Sequence, residues 1–197
     1  MCRHFLFCKF PKLRNDDCFK LIEPDPSHPL DQYNCWAYAL GKIDAIWAYN
    51  AAWPQDVTRR PDFPDHIDSY IEMLVYFGYA RCSPLLGVRP EHFDPEEGVE
   101  KVALYATEKT ANGVTYLWCP HVSKQLSSGR WSSKNNIFDI FEHAPESLES
   151  EPGSAVHKTH PDECKQSQPD GSILIHTPMN FGHIALVMSR PAMTHRA

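Results

Sequence analysis

The stretch of this chain that decides the fold is Tyr33-Asn34-Cys35-Trp36-Ala37-Tyr38-Ala39-Leu40-Gly41. It places a cysteine at the start of an apolar segment with helical spacing, and this spacing predicts a helix over 31–49. Backbone N–H groups and the positive end of a helix both favour a thiolate at such a position. Cys35 is therefore a candidate nucleophile.

A histidine that can act as the base lies further along the chain. His121 follows Cys119-Pro120 inside a predicted strand over 114–126, where the proline indicates an edge or a bulge. An imidazole close to the thiol would lower the thiol pKa and protonate a leaving amine. We therefore predict a Cys35–His121 catalytic pair. The alternative is that Cys35 fills the core and His121 is a surface strand residue.

Further candidate site residues surround this pair. A hairpin turn over 127–129 leads into a predicted strand over 130–135, which places several side chains across from His121. The candidates to orient the imidazole are Ser133, Asn135, Asp139 and His143. The candidates to hold an oxyanion or line the substrate cleft are Gln32, Asn34, Trp36 and Trp131, although both tryptophans are also consistent with core packing.

The rest of the pattern predicts an α+β protein in which N-terminal helices pack on an antiparallel sheet. A second helix follows Asp65, and Gly78 lies near its expected end. The acid-rich run 139–151 suggests a short helix and a loop. The other predicted strands are 99–107, 172–177 and 183–189. The predicted organisation is an N-terminal arm (1–30), one domain (31–149 with 172–191) and a flexible insertion (150–171).

Composition limits the function classes. The chain has 197 residues and a net charge of −6 without a basic stripe, which disfavours nucleic-acid binding. It has no apolar run long enough to span a membrane and no signal-peptide core, so we expect a cytoplasmic protein or one exported by a non-classical route. The seven cysteines form no CxxC pair. A metal site built from His157, His160, Cys164 and His176 is poorly spaced, and we expect no cofactor.

Longer motifs resemble an uncharacterised domain family with a papain-like (NlpC/P60-type) cysteine peptidase fold. They are Phe10-Pro11-Lys12-Leu13, the stretch 34–41, Phe77-Gly78-Tyr79-Ala80-Arg81-Cys82, and the runs 100–106, 121–134 and 182–191. The resemblance implies a papain-like fold and carries a Cys–His pair onto Cys35 and His121. The run that begins Gly182-His183-Ile184 also resembles the histidine strand of the CHAP peptidoglycan hydrolases, which makes His183 a rival base.

Two functions follow as expectations. The first is a thiol hydrolase or acyltransferase that acts on an amide in a peptide, protein or peptidoglycan-like substrate through the Cys35–His121 pair. The second is a catalytically inactive papain-like binding or interaction module. The sequence leaves the oligomeric state open.

Overall fold

A computed structural model describes residues 6, 10–24, 26–27, 33–42, 54, 56–57, 62–63, 65–135, 139–150, 165–167, 173–175 and 181–192. The helices are α1 (Cys35–Ala39) and α2 (Ile67–Tyr76), and 3-10 turns occupy Pro11–Asn15, Pro90–Phe93 and Pro145–Leu148. The strands are β1 (Lys20–Ile22), β2 (Ala80–Arg81), β3 (Val99–Ala111), β4 (Val114–Gln125), β5 (Trp131–Lys134), β6 (Ile140–His143), β7 (Lys165–Ser167), β8 (Ile173–Ile175) and β9 (His183–Pro191).

Seven of these strands form one antiparallel sheet in the order β1-β6-β5-β4-β3-β9-β2, and β7 pairs with β8 separately. The centre of the sheet is the long β3–β4 hairpin, whose turn is Asn112-Gly113 with positive φ at both residues. That geometry is the tight hairpin turn that Asn-Gly favours.

The predicted α+β papain-like architecture is wrong. In the described part of the chain the fold is mainly a seven-stranded antiparallel sheet, and α2 is the only helix longer than five residues. Two segments that the sequence did not predict to be strands form strands at one edge of this sheet. The predicted arm supplies β1, and the acidic run, read as a helix and loop, supplies β6.

Gly41 explains why the first helix is short. The N–H of Gly41 bonds to the Tyr38 carbonyl and that of Lys42 to the Ala37 carbonyl, while Gly41 has φ of +68°. Helices commonly end in this way, with a glycine of positive φ just after the last helical turn. The predicted helix over 31–49 therefore ends at Ala39, and its positions 31–32 and 43–49 lie outside the described residues.

The second helix follows its prediction. Ile67, Tyr70, Ile71 and Leu74 are all buried, and Gly78 adopts φ of +84° just after the helix. The N-cap is His66 rather than Asp65, because the His66 Nδ1 accepts from the Asp68 backbone N–H at 3.1 Å.

The sheet separates the two larger of the three hydrophobic clusters formed by the described residues. On one face both helices pack over Val102, Leu104, Val122, Leu186 and Met188. On the other face the N-terminal segment and the chain before β9 cover the sheet, with the buried residues Leu6, Phe10, Leu13, Ala103, Tyr105, Trp131, Phe141, Leu148, Phe181, Ile184 and Val187. We call these the helix face and the arm face.

A bulge in β4 sets which side chains lie on each face. Tyr105 pairs with His121 but Thr107 pairs with Trp118, so β4 carries one extra residue around Pro120. The sequence prediction of an edge or bulge at Pro120 is confirmed. Because of the extra residue, Cys119 and Val122 both lie on the helix face, and His121 lies on the arm face.

The start of α1 allows a direct test of the local structure. The Asn34 side chain accepts from the Ala37 backbone N–H at 3.0 Å. Asn34→Ala should therefore lower the free energy of unfolding by about 1 kcal/mol in urea denaturation. Asn34→Asp keeps the acceptor and should stay close to wild type. Equal losses in both variants would contradict the cap.

Candidate functional site

Cys35 opens α1 and points into the core. Its side chain is 8 % exposed and packs in the cluster that contains Leu104 and Val122. Burial raises the pKa of the Cys35 thiol to about 11, and backbone N–H groups, including that of Val122, together with the charge of Lys134 offset only part of this rise. The thiol is therefore almost wholly protonated at neutral pH.

His121 belongs to a different environment. Its ring stacks on Phe181 with centroids 4.1 Å apart and planes 8° apart, and Tyr105 lies beside it at 5.6 Å. The side chain is 2 % exposed, and burial and then the neighbouring His143 hold its pKa well below the usual value. His121 is therefore a neutral, enclosed imidazole on the arm face.

Ser133 is the centre of a buried hydrogen-bond network on that face. Its Oγ lies 3.0 Å from His121 Nε2, 2.8 Å from His143 Nε2 and 2.6 Å from Ser123 Oγ. The Ser123 Oγ also lies 3.2 Å from the Tyr105 hydroxyl, which donates to the Pro145 carbonyl at 2.7 Å. The network joins four strands of the sheet.

The donors and acceptors in this network can be assigned by starting from His143, which contacts a backbone carbonyl. The Nδ1 of His143 lies 2.7 Å from the Ala144 carbonyl, so Nδ1 carries the proton and Nε2 accepts from Ser133. Ser133 has one proton to give, so its contact with His121 requires a proton on His121 Nε2. This assignment requires neutral imidazoles, and burial supplies that state by lowering the pKa of His143 to about 4 and that of His121 well below its usual value.

The structure does not bring Cys35 and His121 together. Cys35 packs on the helix face with Val122, whereas the His121 ring stacks on Phe181 on the arm face. Neighbouring strand residues project to opposite faces, so Val122 and His121 diverge and the sheet lies between thiol and imidazole. The predicted contact between His121 and Ser133, in contrast, is present.

The other predicted site residues take separate positions. Trp36 stacks on Tyr70 with centroids 4.1 Å apart, and Trp131 is buried edge-on against Phe93. Asn34 caps α1, and Gln32 lies outside the described residues. Both tryptophans therefore belong to the hydrophobic cores.

The remaining candidates do not join the imidazoles. The Asn135 side chain is 1 % exposed, and neither polar atom of its amide has a hydrogen-bond partner among the described residues. Its backbone N–H donates to the Asp139 carbonyl. His183 is 59 % exposed and lies 3.9 Å from Glu149. His183 is thus exposed to solvent, whereas His121 and His143 are both buried.

Sequence reasoning named Ser133 and His143 but missed their partners Ser123 and Tyr105. The signal was available in the alternation of β4, because residues 121 and 123 share a face. The four residues of the proposed metal set, His157, His160, Cys164 and His176, lie outside the described residues. Within the described part, no three His, Cys, Asp or Glu side chains are grouped to hold a metal.

Comparison with known proteins places the chain in a family. A family model described as a domain of unknown function, DUF7689, matches residues 26–158, and the chain belongs to that family. No curated protein and no solved structure matches it. The expected membership in an uncharacterised domain family is thus confirmed, while nothing in these comparisons supports a papain-like fold. Among the described helices, none is long and apolar enough to cross a membrane.

Proposed function

We propose that this domain is a binding module that takes a small polar ligand or a chain end into a cavity at the C-terminal end of α1. The observation that carries this proposal is a cavity of about 290 Å³ lined by charged side chains of β3, β4 and β9, including Glu100, Lys124 and Arg190. Concave sites with a few convergent polar groups are the usual location of ligand binding.

The test is a binding survey by NMR on the full chain. Small carboxylic acids, amines, phosphate and neutral compounds are added one at a time, and backbone amide shifts are followed. At least one class should shift the signals of Gly41, Lys124 and Arg190 together. If no compound moves these signals at millimolar concentration, the binding proposal is wrong.

A second candidate is the thiol hydrolase or acyltransferase that uses Cys35. The observation in its favour is that the backbone N–H groups of Val122, Trp36 and Cys35 are all directed so as to lower the thiol pKa. Such groups are what a thiolate or an oxyanion requires. Against it stand the enclosed thiol and the position of His121 across the sheet.

Thiol alkylation separates the two candidates. With a pKa of about 11 instead of 9.0, the Cys35 thiolate fraction at pH 7.5 is about a hundredfold below that of a free thiol. Iodoacetamide should therefore label Cys35 more than a hundredfold slower in the folded protein than in urea, as read by peptide mass spectrometry.

The half-buried Cys18 and Cys82 serve as internal references in the same sample. We expect Cys35 to be labelled after Cys18, and Cys35→Ala to leave the fast labelling unchanged. Fast modification that Cys35→Ala removes would instead support the thiol enzyme.

A further inference from the structure

The cavity lies where α1 ends over the centre of the sheet. Its lining includes Leu40 and Gly41 from the end of α1 and the polar residues Tyr79, Glu100, Lys124 and Arg190. Gly41 belongs to the closed end of α1, so the cavity wall is fixed by the same hydrogen bonds that stop the helix. The polar side chains that line the cavity differ in how many hydrogen bonds and ion pairs they already form within the protein.

Arg190 and Glu100 form an ion pair whose charges cancel. The Arg190 Nε and one terminal nitrogen each lie 2.7 Å from the same Glu100 oxygen, Oε2, and the other terminal nitrogen donates to the Phe77 carbonyl at 3.1 Å. The guanidinium also lies over the Tyr79 ring at 4.6 Å. These contacts hold Arg190 in place and leave the second Glu100 oxygen, Oε1, outside the pair.

Lys124 has no such close ion pair, although burial lowers its pKa and the charge of Glu100 opposes that shift. Its Nζ donates to the Tyr38 carbonyl at 3.3 Å and lies 3.8 Å from the centre of the Tyr38 ring, and no described carboxylate forms an ion pair with it. A carbonyl uses one of the three protons of an ammonium group. Lys101 also lines the cavity but is paired with Glu96, so Lys124 and Arg190 against Glu100 leave one positive charge in excess.

The remaining walls add a buried hydroxyl and an apolar side. Burial raises the pKa of the Tyr79 hydroxyl, and the neighbouring Glu100 carboxylate adds to that rise. Ala39, Leu40 and Leu126 supply aliphatic surface. An ammonium group, a carboxylate oxygen and an aliphatic wall thus surround one small space.

We infer that the ligand is a carboxylate with a neighbouring N–H and an aliphatic side chain, as in an amino acid or the C-terminal residue of a peptide. Lys124 neutralises the carboxylate, Glu100 accepts from the N–H, and the wall formed by Leu40 and Leu126 contacts the side chain. The carboxylate of Glu100 disfavours a dianion such as phosphate in the same space. This inference rests on the proposed binding function and specifies its ligand class.

The first test compares ligands that differ by one group on the unmodified protein. N-acetyl-leucine has all three features, 4-methylpentanoate lacks the N–H, and N-acetyl-leucinamide lacks the carboxylate. Loss of a hydrogen bond to a charged group should weaken binding by about tenfold or more in each case, measured as Kd by NMR titration. Equal binding of the amide, or tighter binding of inorganic phosphate, would overturn the inference and leave the binding function intact.

Two further ligands identify the source of the carboxylate. Free leucine represents an amino acid, and the tripeptide Ala-Ala-Leu represents a chain end. A peptide site binds the tripeptide at least as well as N-acetyl-leucine, whereas an amino-acid site binds leucine better than both. If neither binds, the inference is wrong.

A matched pair of variants locates the site. Lys124→Met keeps the length of the side chain and should weaken N-acetyl-leucine binding by about tenfold or more. Lys109→Met removes the same charge from the exposed end of the β3–β4 hairpin, where Lys109 lies over Trp118, and should leave binding unchanged. If both variants bind like wild type, the carboxylate is not held by Lys124 and the inference is wrong.

Discussion

Replacing Gly182 with alanine is expected to lower the free energy of unfolding by about 4 kcal/mol, with a fall in Tm of roughly 10 °C. A Cβ at this position would collide with the backbone carbonyl of Ala106, and Gly182 also has φ of +75°. The collision involves main-chain atoms of β3, which pairs with a strand on each side and cannot move without disturbing the sheet.

Gly113 provides a matched control for this variant. It has the same φ of +75°, but a Cβ there would meet nothing within 4 Å. Gly113→Ala should therefore show only the backbone penalty, about 1–2 kcal/mol. Urea denaturation of both variants separates the two effects, and similar losses would show that the close approach to Ala106 is unimportant.

The close approach at Gly182 also matters for the buried network. Gly182 exchanges backbone and side-chain hydrogen bonds with Ser150, and Phe181 just before it stacks on His121. An alanine that pushes this segment away from β3 should open the stack as well. Hydrogen exchange in β4 around His121 would then accelerate in Gly182→Ala but not in Gly113→Ala.

Parts of the fold with a strong local signal could be predicted from sequence. The apolar stripe that ends at Gly78 identified α2, and Pro120 identified the bulge in β4. The first helix was overestimated because the apolar spacing continues after Gly41, and the pattern does not show which glycine adopts positive φ. The strand β6 was missed because its four residues lie within an acidic run.

The structure differs from the predicted arrangement in placing Cys35 and His121 on opposite faces of the sheet. The hairpin register brought Ser133 near His121, because the pairs Gln125–Trp131 and Lys124–Ser132 fix how β5 lies beside β4. His121 shares the arm face with its register partner Tyr105, and the extra residue near Pro120 places Cys119 on the opposite face. A shift of one residue moves a strand side chain to the opposite face. Sequence therefore predicted the neighbours of His121 within the sheet, but not the separation from Cys35.

The two buried imidazoles should make the protein sensitive to acid. The pKa of His143 falls from 6.5 to about 4, mainly through burial, with partial opposition from the hydrogen bond to Ala144 and the charge of Asp16. His121 is shifted in the same direction. Between pH 6.5 and about 4 the unfolded chain binds a proton at His143 that the folded chain does not. The stabilising contribution of the neutral His143 is therefore complete above pH 6.5 and is lost as the pH falls toward 4.

The expected contribution of His143 over this range is about 3 kcal/mol, with a further loss from His121. Urea denaturation between pH 7 and 4.5 gives the slope, and His143→Gln should flatten it. His183→Gln changes an exposed imidazole outside the network and should keep the wild-type slope. Since His143→Gln also removes a partner of Ser133, NMR titration of the unmodified protein is the independent measurement. An imidazole of His143 that takes up its proton near pH 6.5 in the folded state would contradict the assigned network, because Ser133 donates only to a neutral Nε2.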